Sequence, residues 1–144
     1  MPKFPSEEWI RALCQEINNS ESYAKAARNW EGDFYFIAEP DDGLSERVIL
    51  YMDLKHGQCP LARAVSDESE YNPEFRLIAP FNVWRKIIEG KIDPIQGLIT
   101  RQIKLKGNIM KVMQAPKAAR ELVKCCARVP TEFNAKEEDS SKQQ

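Results

Sequence analysis

The sequence predicts an α+β domain, a mainly antiparallel sheet of five strands with helices packed on one face. Three observations carry that expectation. Helical spacing of apolar residues opens the chain and returns after residue 80, and short β-branched and aromatic runs separated by turn clusters fill residues 33–79. A strict two-residue alternation then reappears at 102–106, between helical stretches. With 144 residues, 42% of them apolar and 30% charged, the chain is long enough to bury one sizeable core.

Taken in order, Ser6 caps a first helix that runs to about Asn18, with Trp9, Ile10, Leu13 and Ile17 spaced to share a face. Ser20 caps a second, Ala-rich helix reaching about Asn29. Strands are expected at 33–38 and 47–55, joined through the turn cluster Glu39-Pro40-Asp41-Asp42-Gly43. His56-Gly57 turns the chain into a third strand at 58–65. The polar residues 66–72 are expected to form an exposed connection before a fourth strand at 74–79. With so little chain between them, these strands are expected to meander without a crossover. Phe81, Trp84, Ile87 and Ile88 then share one face of a helix over 80–89, which Gly90 stops, and Asp93-Pro94 opens the next with a capping residue before a first-turn proline. In the strand at 102–106, Ile103 and Leu105 point one way, Gln102, Lys104 and Lys106 the other. Asn108 caps a short turn holding Met110 and Met113. Pro116 begins a last helix, on which Ala119, Leu122 and Cys126 oppose Lys117, Arg120, Lys124 and Arg128. The domain is expected to span 1–133, with 134–144 a disordered polar tail.

Composition argues against most chemistry. Cys14, Cys59, Cys125 and Cys126 lack metal-type Cys-x-x-Cys spacing and read as reduced small hydrophobes, so neither a metal nor a cofactor is expected. His56, the single histidine, sits in a turn beside Gly57, and Asp41-Asp42 are turn residues beside Pro40 and Gly43. Asp53, His56 and Cys59 are the nearest approach to a thiol site, but Cys59 precedes Pro60 on a strand rather than opening a helix. The six glycines are scattered singly, which leaves no phosphate loop. No catalytic residue is assigned, and an enzyme is not expected. No apolar run approaches the roughly 20 residues needed to span a bilayer, and Met1-Pro2-Lys3-Phe4-Pro5 lacks a signal-peptide core. The chain ends Ser141-Lys142-Gln143-Gln144 rather than in a peroxisomal Ser-Lys-Leu. A cytoplasmic location is expected.

Charge is divided along the chain. Residues 31–74 carry eleven acids and few bases, whereas 85–128 carry eleven bases against three acids. Such a segment favours a charged partner. Nucleic acid is not expected, because no aromatics interleave Lys104, Lys106, Lys111 and Lys117. An anionic membrane is, with Lys117, Arg120, Lys124 and Arg128 forming the docking stripe. On the sheet face away from the helices, Tyr35, Ile37, Ile49 and Tyr51 are expected to form an apolar patch that supports a weak homodimer.

The stretch Trp84-Arg85-Lys86-Ile87-Ile88-Glu89-Gly90-Lys91-Ile92-Asp93-Pro94-Ile95, followed by Ile103-Lys104-Leu105-Lys106-Gly107-Asn108, resembles the sterol carrier protein family, and the resemblance extends over roughly residues 7–131. One departure is visible: Arg101-Gln102 stands where the family usually has a Gly-Lys pair entering the strand. Trp84, Ile88, Leu98, Ile99, Met110, Met113 and Leu122 would line the gap between helices and sheet, facing some of Phe34, Phe36, Leu50, Met52, Leu77 and Ala79, with Ile103 and Leu105 of the later strand also counted as ligand-binding. The residues alone favour a filled core there. The resemblance implies instead an apolar tunnel that holds a lipid. It further implies a non-catalytic carrier of fatty acyl chains, sterol-like lipids or acyl-CoA. The alternative is a protein-interaction or regulatory module that uses the same fold with a filled pocket. Burying about ten methylenes at roughly 0.8 kcal/mol each would supply about 8 kcal/mol gross, so an apolar cavity suffices for affinity.

Overall fold

The computed structural model describes residues 1–133, and the expected disordered tail lies outside them. The elements follow in the order β1 (Lys3–Phe4), α1 (Glu7–Asn18), α2 (Glu21–Ala26), β2 (Glu31–Glu39), β3 (Val48–Lys55), β4 (Gln58–Val65), β5 (Phe75–Pro80), α3 (Phe81–Ile88), α4 (Pro94–Ile99), β6 (Lys104–Lys106), α5 (Ile109–Met113), α6 (Pro116–Arg128) and β7 (Glu132–Phe133). Local chemistry sets most boundaries. Ser6 and Ser20 accept hydrogen bonds from the backbones of Trp9 and Tyr23, and Asp93 and Asn108 do the same at the starts of α4 and α5. Gly90, at φ 78°, ends α3 with a Schellman pair: its N–H donates to the Ile87 carbonyl and that of Lys91 to Lys86. Pro80 offers α3 no side-chain cap. Asp41 supplies the missing acceptor from the hairpin, taking the Asn82 N–H at 2.9 Å.

Five strands form the main sheet in the order β4-β3-β2-β5-β6. Three of its pairings are antiparallel, but β5 lies parallel to β2, with Phe34 opposite Phe75 and Glu39 opposite Pro80. The expected crossover-free meander is therefore corrected. Residues 66–74 carry the chain back across β3 and β2 to the far side of β2. Alternation within a strand says which face is buried, not which neighbour it pairs with.

That crossover also overturns the reading of the sheet's second face. Tyr35, Ile37, Ile49 and Tyr51 are not an open patch but a small buried cluster with Val65, joined by Tyr71 and Ile78. Tyr71 stacks on Tyr51 at 4.0 Å between ring centroids, and the Tyr35 hydroxyl donates to the Glu68 carbonyl at 2.8 Å while accepting the Tyr71 N–H at the same distance. Glu68 reaches both Arg47 and Arg76, and Arg76 lies over the Tyr35 ring. The connection is exposed over most of its length, as expected, but Glu68 and Tyr71 make it a strap over this face, and the motive for a homodimer there disappears.

Two differences are smaller. The second helix ends at Ala26 because the next residues turn to bring Trp30 against Phe34 and Phe75, at 5.8 and 5.6 Å. β1 and β7, too short for any periodic signal, pair in parallel and fasten Phe4 against Trp9 and Phe81.

Candidate functional site: an apolar cavity

The alternation of β2, β3 and β5 sends Phe34, Phe36, Leu50 and Leu77 to the face that carries the helices. Opposite them stand Trp84 and Ile88 of α3, Leu98 of α4, Leu122 of α6, and Ile103, which precedes β6. Between the two layers lies a cavity of about 130 Å³. A water's share of liquid volume is about 30 Å³, so the cavity is the size of a few such groups. The lining contains no charged residue, no amide and no aliphatic hydroxyl.

All three tryptophans of the chain reach this cavity. Their polar atoms are turned away from it and occupied. The Trp84 Nε1 donates to the Ile37 carbonyl at 2.9 Å, Trp9 Nε1 to Thr131 Oγ1 at 2.9 Å, and Trp30 Nε1 to the Gly32 carbonyl at 3.2 Å. The cavity therefore meets hydrocarbon faces only, apart from Tyr23 and the Cys126 thiol. Burial, reinforced by the nearby Cys59 and Cys125, raises the Tyr23 phenol well above its ordinary value and keeps it neutral. A wall of this kind selects for apolar bulk and shape, with no fixed charge to orient a head group.

Nine of the residues expected to bind a ligand line the cavity: Phe34, Phe36, Leu50, Leu77, Trp84, Ile88, Leu98, Ile103 and Leu122. Five do not. Met52 is wholly buried in the main core, opposite Phe34, while Leu105 and Met113 pack half-buried on that core. Ile99 and Met110 point outward, 58% and 61% exposed. The reason is helical phase. Leu98 and Val112 hold the inward positions of α4 and α5, and residues one and two places away are turned roughly 100° and 200° around the axis. The lining also includes Trp9, Ile10 and Leu13 of α1, Trp30, Leu54, Ala118 and Cys126. Their apolar spacing was visible, but a core-facing stripe and a cavity-facing stripe have one pattern.

The residues considered for catalysis are placed elsewhere. His56 is exposed, its Nδ1 2.9 Å from the Arg28 carbonyl. Asp41 accepts the Gly43 N–H at 2.8 Å within its turn, and Asp42 accepts from the Asn82 amide. The Cys59 thiol faces the Leu61 carbonyl at 3.6 Å, and burial pushes it far from the thiolate form. Burial likewise pushes the Cys126 thiol up to about 12. No cluster of His, Cys, Asp or Glu fit to hold a metal ion occurs among the described residues.

The α6 bases are all exposed, yet unequally available. Arg120 pairs with Asp93 at 3.0 Å, Lys124 with Glu121 at 3.0 Å, and Arg128 donates to the Cys125 sulfur at 3.5 Å.

The SCP-2 sterol transfer family matches residues 10–120, most of the fold and nearly every cavity wall. The chain belongs to this family. A crystal structure of sterol carrier protein 2 is similar at 33% identity, with a TM-score of 0.79 over 88% of this chain and 99% of that one. The solution structure of a conserved hypothetical protein from Thermus thermophilus is also 33% identical, with a TM-score of 0.81 over 92% and 93% of the two chains. The apo sterol carrier protein 2 of Yarrowia lipolytica, at 16% identity, shares the fold with a TM-score of 0.59 over 90% and 97%. Comparison with curated protein sequences gives no match. Membership of this sterol transfer family supports lipid binding and transfer as the general role.

Proposed function

We propose that this chain is a non-catalytic carrier that holds the apolar body of a lipid, a fatty acyl chain or a sterol-like skeleton, in the cavity between its sheet and helices, and passes it on unchanged. The observation that carries the reading is the cavity of about 130 Å³, walled wholly by apolar and aromatic side chains. Apolar cavities of roughly this size stay dry and take up hydrocarbon, as one of about 150 Å³ does with benzene, so the space seats part of a lipid's apolar body and a whole acyl chain or sterol enters only as the walls spread. With no charged anchor inside, affinity follows buried area, and acyl chains, acyl-CoA tails and sterol-like bodies compete for one space. A coenzyme A or carboxylate head would remain outside, in water. The carrier works in the cytoplasm on this reading.

Organic extraction of the purified protein followed by mass spectrometry tests this directly. A co-purified lipid is expected, and added palmitate or a sterol is expected to shift the tryptophan emission, because all three indoles face the cavity. A protein that extracts empty and whose emission is indifferent to every lipid offered would overturn the proposal.

A further inference from the structure

Three tyrosines are buried among the described residues, and the hydroxyls of two have partners. Tyr35 bonds the Glu68 carbonyl and the Tyr71 N–H, and Tyr51 donates to the Asp33 carboxylate at 2.8 Å. Tyr23 is the exception. The residue is 2% exposed, and its hydroxyl has no hydrogen-bond partner among the described residues. Every side-chain oxygen or nitrogen fully sealed from open space there does have one, so the Tyr23 oxygen still meets open space. Tyr23 lines the cavity, and the cavity is that space. The fold leaves the hydroxyl no alternative. α2 lies against the β3–β4 turn, where a Cβ built at Gly57 would touch Ala24, and the preceding side chain enters the core near Cys59 of β4 and Cys125 of α6. Both thiols are turned to other groups, Cys59 to the Leu61 carbonyl and Cys125 to the Arg128 guanidinium. A buried hydroxyl without a partner costs the unliganded fold stability that an entering oxygen can return.

We propose that Tyr23 is a specificity-determining residue of the cavity, its hydroxyl bonding an uncharged oxygen, a hydroxyl or a carbonyl, carried on the part of the lipid that enters. The inference rests on the carrier reading and deepens it. Apolar bulk sets how tightly a lipid is held, and Tyr23 chooses between bodies of equal bulk. Burial keeps the phenol neutral, so it can both donate and accept, and it offers no positive charge to a carboxylate. An oxidised chain is therefore admitted as its alcohol and refused as its acid. The Cys126 thiol, the other polar group of the lining, is a weak donor and cannot take over the role. The three indole N–H groups of the wall already have acceptors, which leaves the phenol to make the contact.

A pair of probes that differ at one atom tests it: ω-hydroxypalmitate, and heptadecanoate, which carries a methyl in place of the hydroxyl. In both, the carboxylate stays in water and the other end enters. Affinities of the two acids for the parent and for Tyr23→Phe are measured by calorimetry. The preference for the hydroxy acid over heptadecanoate is expected to fall about fivefold to tenfold in the variant, the effect of one neutral hydrogen bond, while heptadecanoate binds the variant at least as well as the parent. Tyr23→Phe is also expected to melt no lower than the parent without lipid, because the hydroxyl it removes bonds nothing in the protein. A lower Tm would give the hydroxyl a structural partner and overturn the inference. So would a preference that is the same in the two proteins, and with heptadecanoate still bound that result leaves the carrier reading standing. A parent that takes up neither acid removes the carrier reading, and this inference with it.

Discussion

At the turn between β3 and β4, His56 and Gly57 both have positive φ, 50° and 81°. Two successive left-handed residues are the signature of a type I′ hairpin, whose twist matches the flanking strands. Gly57 is further constrained by its surroundings, since a Cβ built there would lie 2.7 Å from the Ala24 Cα and 2.9 Å from the Ala24 carbonyl oxygen. Gly90 has a similar φ of 78° but nothing within 4 Å of a built Cβ. The pair separates the two costs of replacing a glycine. Gly90→Ala bears only the left-handed penalty, about 1 kcal/mol, whereas Gly57→Ala must also push α2 off the hairpin and is expected to lose about 3 kcal/mol. Urea denaturation of both variants checks this, and equal losses would mean that the Ala24 contact yields freely. Arg101 stands where the family usually has glycine, and it carries a left-handed backbone with a φ of 61°.

At the scale of elements, the strap over the sheet's second face hangs on Glu68. Hydrogen bonding from Arg47 holds its carboxyl below the usual carboxylate range, against the opposing effect of burial, with the charges of Arg47 and Arg76 adding to the lowering. A carboxylate whose pKa is depressed on folding contributes stability above its unfolded value of about 4.3, and that contribution fades as the pH falls through the folded value. With 37% of the Glu68 side chain exposed, solvent screening keeps the contribution small. Glu68→Gln is therefore expected to be less stable than the parent at pH 7 and to converge with it below about pH 4. Denaturation curves at the two pH values measure this, and a gap that stays constant would deny the carboxylate its role. The strap marks the limit of what the sequence carried. α1, α3, α6 and β4 were legible to within a residue or two, because caps, prolines and apolar period agreed at their ends. β6 is shorter than its alternation suggested, since the Ile103 N–H folds back to the Gly97 carbonyl instead of pairing across the sheet. The strap was illegible because its one aromatic, Tyr71, sits among polar residues. The parallel pairing of β2 with β5 was illegible because no local pattern names a strand's partner.

For the whole molecule, the helices and the sheet meet without filling the space between them. The residues facing that space were largely readable from period and alternation, whereas the space itself was not, because side-chain volume summed along a chain does not reveal where packing fails. An empty apolar cavity is destabilising, by about 24 cal/mol per Å³ on the scale of core truncations, so about 130 Å³ corresponds to roughly 3 kcal/mol withheld from the unliganded fold. A lipid that enters restores those contacts, which couples ligand binding to stability. The coupling yields a test that ordinary disruption cannot mimic. Ala118, buried in α6, lines the cavity, and Ala118→Leu grows into it without loss of helix propensity. The variant is expected to be more stable than the parent by about 1 kcal/mol without lipid, once some strain is allowed for. It should also lose most of the stabilisation that lipid gives the parent, about 2.7 kcal/mol at a hundredfold excess over Kd, or roughly 5–10 °C in Tm for a chain of this length. Ala38→Val enlarges a lining residue from the sheet side and should act in the same direction. Melting curves with and without palmitate decide the matter. If Ala118→Leu or Ala38→Val is stabilised by lipid as strongly as the parent, the lipid lies elsewhere. If the gain without lipid and the loss with it appear together, the unfilled space is the binding site.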